Sequence, residues 1–139
     1  MNPARPSNPP RPSPFTILII DDDRLVLSMA SDLLTAEGHL VLTASTGEEG
    51  LAMARTIRAD LILVDDHMPV MNGLEVVQRL KTDTETRRIP VVALISGTAE
   101  DANKLSQAGC VASIPKPFER RDFVRLVADK AVGRSNARD

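Results

Sequence analysis

Residues 61–73 read LILVDDHMPVMNG, and the order of residue types in this stretch decides the fold. Leu61 to Val64 is a continuous apolar run. A strand with one wet face alternates apolar and polar residues, whereas a strand covered on both faces does not. The run stops at Asp65 and Asp66, and a Met68-Pro69 turn follows. Asn72 then stands where it can cap a helix carrying Leu74, Val77 and Leu80 at helical spacing. The stretch therefore predicts a buried strand, an acidic strand end and a helix returning over the sheet.

The same unit recurs on either side. TILII at 16–20 is apolar and β-branched and stops at Asp21, Asp22 and Asp23. Residues 24–37 place Leu25, Met29, Leu33 and Leu34 at helical spacing, and Gly38 suits the position after a helix end. HLVLT at 39–43 reads as a strand. Thr46 with Glu49 reads as a capping box opening a helix through about Thr56. PVVALI at 90–95 is a fourth apolar run, and Thr98 to Ala108 reads as a helix closed by Gly109. CVASI at 110–114 gives a fifth strand. Phe118 to Val132 gives a last helix with Phe123, Leu126 and Val127 inward. Five βα units with doubly buried strands predict an α/β fold, a parallel sheet with helices on both faces. Ligands of such sheets sit outside the carboxyl ends of the strands.

Composition narrows the function. The chain has 139 residues, enough for one domain with a real core. Its formal net charge of −2 gives no reason to bind nucleic acid or an anionic membrane. A single cysteine, Cys110, forms no internal disulfide, and it reads as a core residue. No apolar run approaches the roughly 20 residues of a membrane span. The N-terminus lacks the apolar stretch of a signal peptide. A cytoplasmic, reducing location is expected. Residues 1–14, MNPARPSNPPRPSP, hold six of the ten prolines and read as a disordered arm. Residues 15–133 are the expected domain, and 134–139 the expected C-terminal tail.

Three strand ends carry the chemistry. The first ends at Asp21, Asp22 and Asp23, the third at Asp65 and Asp66, and the fifth runs into Lys116-Pro117. Neighbouring strands lie about 5 Å apart, so these acids should converge at one pole. Carboxylates that close resist ionising together. A hard divalent cation with oxygen ligands offsets the repulsion, and Mg²⁺ keeps waters that a phosphate-bearing partner can replace. A lysine facing such a site suits a phosphoryl group. Asp23 taken alone reads as a helix cap.

ILIIDDD at 17–23, LILVDDHMPVMNGLEVV at 61–77 and IPKPF at 114–118 resemble the signature of receiver domains of two-component response regulators. The resemblance covers about residues 15–132. It implies a doubly wound, flavodoxin-like fold with strand order 2-1-3-4-5. It implies a phosphoacceptor rather than a conventional enzyme. In this frame Met68, Pro69 and Gly73 single out Asp65 over Asp66 as the acceptor. Asp21 and Asp22 become the acid pair holding Mg²⁺ with Asp65, and His67 contributes its backbone carbonyl. Lys116 becomes the phosphoryl-binding cation, followed by a cis bond to Pro117. The implied partner is a histidine kinase or a histidine phosphotransfer protein. Signalling onward would proceed by protein contact.

The sequence departs from that pattern at several positions. The family's Ser or Thr at the end of the fourth strand falls on Ile95. Either Ser96, one residue on, fills that role through a shifted loop, or the role is absent; Ser96 is the preferred expectation, and Thr98 reads as a helix cap. The usual switch aromatic of the fifth strand is replaced by Ser113. Pro115 fits an edge strand. Asp66 and His67 follow the acceptor where apolar residues are common. His67 reads as a solvent-facing loop residue and His39 as structural. The methionines, Met29 and Met53 among them, read as core filling. Arg120, Arg121 and Arg125 mark either a partner face or a solvated one.

Two other functions compete. A pseudo-receiver would bind partners without phosphorylation, which the displaced Ser and missing aromatic favour. A haloacid-dehalogenase-class phosphatase would use Asp21 and Asp23 as its D-x-D pair, but Arg24 breaks that pattern. With no output module expected after the last helix, the chain is either a stand-alone regulator or a receiver excised from a larger protein.

Overall fold

Among the described residues, five strands and five helices alternate. They are β1 (Thr16–Ile20), α1 (Arg24–Ala36), β2 (Leu40–Ala44), α2 (Gly47–Thr56), β3 (Leu61–Asp65), α3 (Gly73–Thr82), β4 (Val91–Ile95), α4 (Ala99–Ala108), β5 (Ala112–Pro115) and α5 (Arg120–Ala137). The computed structural model describes residues 14–137, with side-chain surroundings through residue 131. The Pro-rich arm therefore lies outside the described residues, apart from Pro14.

The strands form one parallel sheet in the order β2-β1-β3-β4-β5. Side chains alternate across it and feed two cores. Leu18, Ile20, Ile62, Val64, Val91 and Ala93 pack against α2, α3 and α4 through Ala54, Val76, Val77, Leu80 and Leu105. Ile17, Ile19, Leu61, Leu63, Val92 and Leu94 pack against α1 and α5 through Ala30, Leu34, Phe123 and Val127. Every residue of β3 and β4 is buried, which is why these runs carry no polar alternation.

Local chemistry fixes the helix ends. Asp23 caps α1 by accepting from the Leu25 amide. Asn72 and Thr98 open α3 and α4 with reciprocal capping boxes to Glu75 and Asp101. After α1, Gly38 takes φ +94° while its amide bonds the Thr35 carbonyl and that of His39 bonds the Leu34 carbonyl. That pair of bonds closes the helix and requires the left-handed backbone that glycine adopts freely. His39 stacks on Phe15, and its Nδ1 accepts from the Phe15 amide at 3.2 Å. Cys110 is buried, and burial pushes its thiol up to about 11.

The structure corrects several local expectations. Leu25 is 80% exposed and Met29 46% exposed, so neither belongs to the core. The inward stripe of α1 is instead Ala30 and Leu34, with Val26, Leu27 and Leu33 packed beside them. Both stripes fit a helical period; the docking angle on the sheet selects between them. At α2 the box is incomplete. Thr46 accepts from the Glu49 amide, but Glu49 reaches back to the Ser45 amide instead of that of Thr46. Leu126 faces inward as expected but is only partly buried, packed against the core on the α1/α5 face. The last helix starts at Arg120 and continues past Val132 to Ala137. Gly133 does not stop it, because a helical glycine costs only about 1 kcal/mol relative to alanine.

Phe123 is fully buried on the α1/α5 face and stacks on Phe118 at a centroid distance of 4.3 Å. Phe123→Ala is expected to lower unfolding stability in urea by about 3–5 kcal/mol, because the cavity cannot be filled by the neighbouring β-strand side chains.

Candidate functional site

The carboxyl ends of β1, β3 and β5 meet at one edge of the sheet. β1 and β3 are adjacent, so the residues just past Ile20 and Val64 lie side by side. Asp21 is fully buried, Asp65 nearly so, and Asp22 exposed. One carboxylate oxygen from each lies within 4.8 Å of the other two. Lys116 enters from the end of β5. Its Nζ lies 2.8 Å from Asp21 Oδ2 and 2.9 Å from Asp65 Oδ1. The Lys116–Pro117 peptide is cis. Asp21 Oδ1 accepts from the Asp23 amide at 2.9 Å, which fixes its orientation. Asp21 Oδ2 meets the ammonium only as an ion pair, with no hydrogen bond of good geometry, although it is buried.

Electrostatics at this pole are unbalanced. Burial raises the Asp65 pKa, the Lys116 hydrogen bond opposes it, and the Asp21 and Asp66 charges push it further up, to about 7. Burial alone would lower Lys116, but the Asp21 and Asp65 carboxylates outweigh it and hold the ammonium above its ordinary value. One cation therefore serves two buried acids. Two buried carboxylates that share one ammonium, with the exposed Asp22 beside them, are a hard, oxygen-only donor set, and it fits Mg²⁺.

Five acids were expected to converge, and three do. Asp23 turns away to cap α1. Asp66 points away from Asp65, as successive strand residues must. Its buried carboxylate faces the β4–α4 loop instead. It accepts from the Ser96 amide at 3.2 Å, the Ser96 hydroxyl at 3.0 Å and the Gly97 amide at 3.0 Å. Ser96 thus bonds Asp66 in this structure, not Asp65. The His67 side chain is exposed and lies 3.6 Å from Asp66 Oδ2 and 3.4 Å from Asp101 Oδ2. The Thr98 amide bond and the His67 contact hold the Asp101 carboxyl below its ordinary pKa. The strict twofold alternation of a strand was the available sequence signal that Asp65 and Asp66 part company.

The loop after β3 is tied down by Gly73. Its amide bonds the Asp66 carbonyl at 3.1 Å, and a Cβ there would collide with the Asp65 carbonyl oxygen and sit 2.8 Å from Asp66 Cα. Only glycine lets α3 start this close to the acidic strand end. Val70, in the same loop, is fully exposed at φ +69°. A β-branched residue is strained there, which nothing in the sequence announces.

A family model described as "Response regulator receiver domain" matches residues 17–128. The chain belongs to the receiver domains of two-component response regulators. It is similar to the polar-differentiation response regulator DivK of Brucella anthropi, at 36% identity over 115 residues, covering 82% of this chain and 94% of that one. Among solved structures it is similar to the chemotaxis protein CheY4 of Vibrio cholerae, with a TM-score of 0.79 and 29% identity over 84% of this chain and 98% of that one. It is also similar to the receiver domain of a sensor histidine kinase from Pseudomonas aeruginosa. There the TM-score is 0.79 and the identity 25%, over 86% of this receiver and 98% of that one. That structure carries a magnesium ion in its active-site cleft. Receiver domains are signalling modules that work with sensor histidine kinases. Among the described residues, no helix is long and apolar enough to cross a membrane.

The raised Asp65 pKa has a consequence for the metal-free receiver. A carboxyl with a folded pKa near 7 and an unfolded value near 3.8 holds its proton longer in the folded state. It therefore favours folding at low pH, and that contribution is lost as pH rises from about 4 through 7. Asp65→Asn is expected to raise Tm by roughly 5 °C at pH 8 in EDTA, and by much less at pH 4. Thermal melts at the two pH values check this.

Proposed function

We propose that Asp65 is the phosphoacceptor of this receiver and that it takes its phosphoryl group from a phosphohistidine on a histidine kinase or histidine phosphotransfer protein. The observation that carries the reading is the Lys116 ammonium held between Asp21 and Asp65. It places one cation 2.9 Å from Asp65 Oδ1 and 2.8 Å from Asp21 Oδ2, against the carboxylate that reacts and the buried acid beside it.

Phosphoryl transfer asks for an in-line nucleophile and for neutralised oxygens. Asp65 supplies the nucleophile. Its carboxylate oxygen forms a bond to phosphorus as the N–P bond of the donor breaks. The electron pair of that bond stays with the departing imidazole, and an acyl phosphate remains on Asp65. Lys116 lies within contact of Asp65, so it can follow the phosphoryl oxygens as charge develops on them. Asp21, Asp22, Asp65 and the His67 backbone carbonyl would hold Mg²⁺, which when bound supplies the remaining charge neutralisation. The arrangement uses Asp65 once per signal and acts on no separate substrate, so the protein is a switch, not an enzyme. The unit that carries this chemistry is residues 15–133, acting in the cytoplasm. It signals through protein contact, with no part for nucleic acid or membrane. Ser113 leaves it without an aromatic switch on β5.

Incubation with a small labelled phosphodonor and Mg²⁺ tests the assignment. The wild type is expected to take up label with Mg²⁺ present and to take up little when EDTA is added beforehand. Asp65→Asn is expected to take none, and Lys116→Ala to label at least tenfold more slowly while keeping its fold. Wild-type labelling of Asp65→Asn would overturn the reading.

A further inference from the structure

Asp66 has no part in the chemistry above, yet it is the best-satisfied buried carboxylate of the site. It collects the hydroxyl and amide of Ser96 and the amide of Gly97. These three donors belong to the loop that leaves β4, the strand next to β3 on the side away from β1. Asp65 pairs with Leu94 in register, and the Asp66 amide bonds the Leu94 carbonyl at 3.0 Å. Ser96 and Gly97 thus begin the loop directly after the strand paired with the one that ends at Asp65.

We propose that Asp66 is a positioning residue that withholds these donors from the phosphoryl group, so that switching is a competition between two anions for one set of hydrogen bonds. This rests on Asp65 being the acceptor. A phosphoryl group brings close to two negative charges and three strong acceptor oxygens. Lys116 answers part of that demand from the β5 side. On the β4 side the donors are already committed to Asp66. Charge-assisted hydrogen bonds are stronger than neutral ones, so the loop does not part from Asp66 without a competing anion. The phosphoryl group supplies one.

In transferring its donors, the loop must shift at Ser96 and Gly97, just ahead of the Thr98 cap of α4. The space around Gly97 is tight: a Cβ there would collide with Asp101 Oδ2 and lie 2.8 Å from His67 Nε2. The loop also continues without a break into the Thr98 cap, so its movement would be felt at the start of α4. That route needs no aromatic side chain on β5, where Ser113 stands. A phosphoryl ligand that must first displace Asp66 binds more weakly by the fraction of molecules in which the loop is free. If that fraction is about a tenth, releasing the loop raises apparent affinity about tenfold.

Beryllofluoride with Mg²⁺ is a suitable probe, followed by fluorine and amide NMR on the full chain, which has neither Trp nor Tyr to report by fluorescence. In the wild type the Ser96 and Gly97 amide signals are expected to shift strongly on saturation, together with those around Asp65 and Lys116. Asp66→Asn is expected to bind the probe about tenfold more tightly. Ser96→Ala, which removes the hydroxyl and leaves both amides, is expected to change wild-type affinity little, yet to reduce the gain in the Asp66→Asn background. An equal gain with and without Ser96→Ala would show a plain charge effect and overturn the proposal. Shifts confined to Asp65 and Lys116 in the wild type would overturn it too, while leaving the acceptor assignment standing. A wild type that takes no probe would sink both.

Discussion

The carboxylates of Asp21 and Asp65 lie close together in a buried place, with a single ammonium between them. That juxtaposition is unfavourable in isolation, because burial and mutual repulsion both oppose ionisation. The rest of the architecture enforces it. β1 and β3 are neighbours because the chain reverses direction of growth after β2, and the ligand crevice of such a sheet opens where that reversal occurs. Lys116 arrives from β5, two strands away from β3, and its side chain spans the gap to both acids. A site that is electrostatically incomplete is the one that responds strongly when a cation and a phosphoryl group arrive.

The apolar bulk of the molecule exists to hold those three strand ends in register. Two cores grip the sheet, one on each face, and every residue of β3 and β4 is buried. Packing at this density transmits small displacements instead of absorbing them. The loops above the sheet are held by different means. The β3–α3 loop depends on Gly73 pressed against the Asp65–Asp66 backbone and includes the strained Val70. The β4–α4 loop depends on hydrogen bonds to Asp66. Asp65, the proposed phosphoacceptor, ends β3 at the base of the first of these loops and pairs with Leu94 of the strand that leads into the second.

Much of this was legible in the sequence. Continuous apolar runs specify strands buried on both faces, and five repeats of the unit specify a parallel doubly wound sheet. The acids at the first and third strand ends, and the lysine after the fifth, follow from the rule that ligands gather there. Caps at Asp23, Asn72 and Thr98 were readable because each is a local bond between residues two or three apart. The failures share a cause. Leu25 and Met29 satisfy the helical period as well as Ala30 and Leu34 do, and Glu49 can reach Ser45 as easily as Thr46. Periodicity defines a stripe but not the angle at which the helix docks.

Asp66 shows where the boundary falls. Its presence beside Asp65, its distance from Ser96 in sequence and its charge are all plain in the chain. The expectation nonetheless put it at the acidic pole, although alternating strand residues face opposite ways. Its actual partners were not deducible, because the bonds to Ser96 and Gly97 join residues about thirty positions apart. By itself the sequence determined the strands, the helices and the identity of the charged groups, since these depend on local pattern and composition. Only the tertiary structure decided which acids share Lys116 and which one holds the β4–α4 loop, because such pairings depend on strand order and on the direction each side chain takes from its neighbour's backbone.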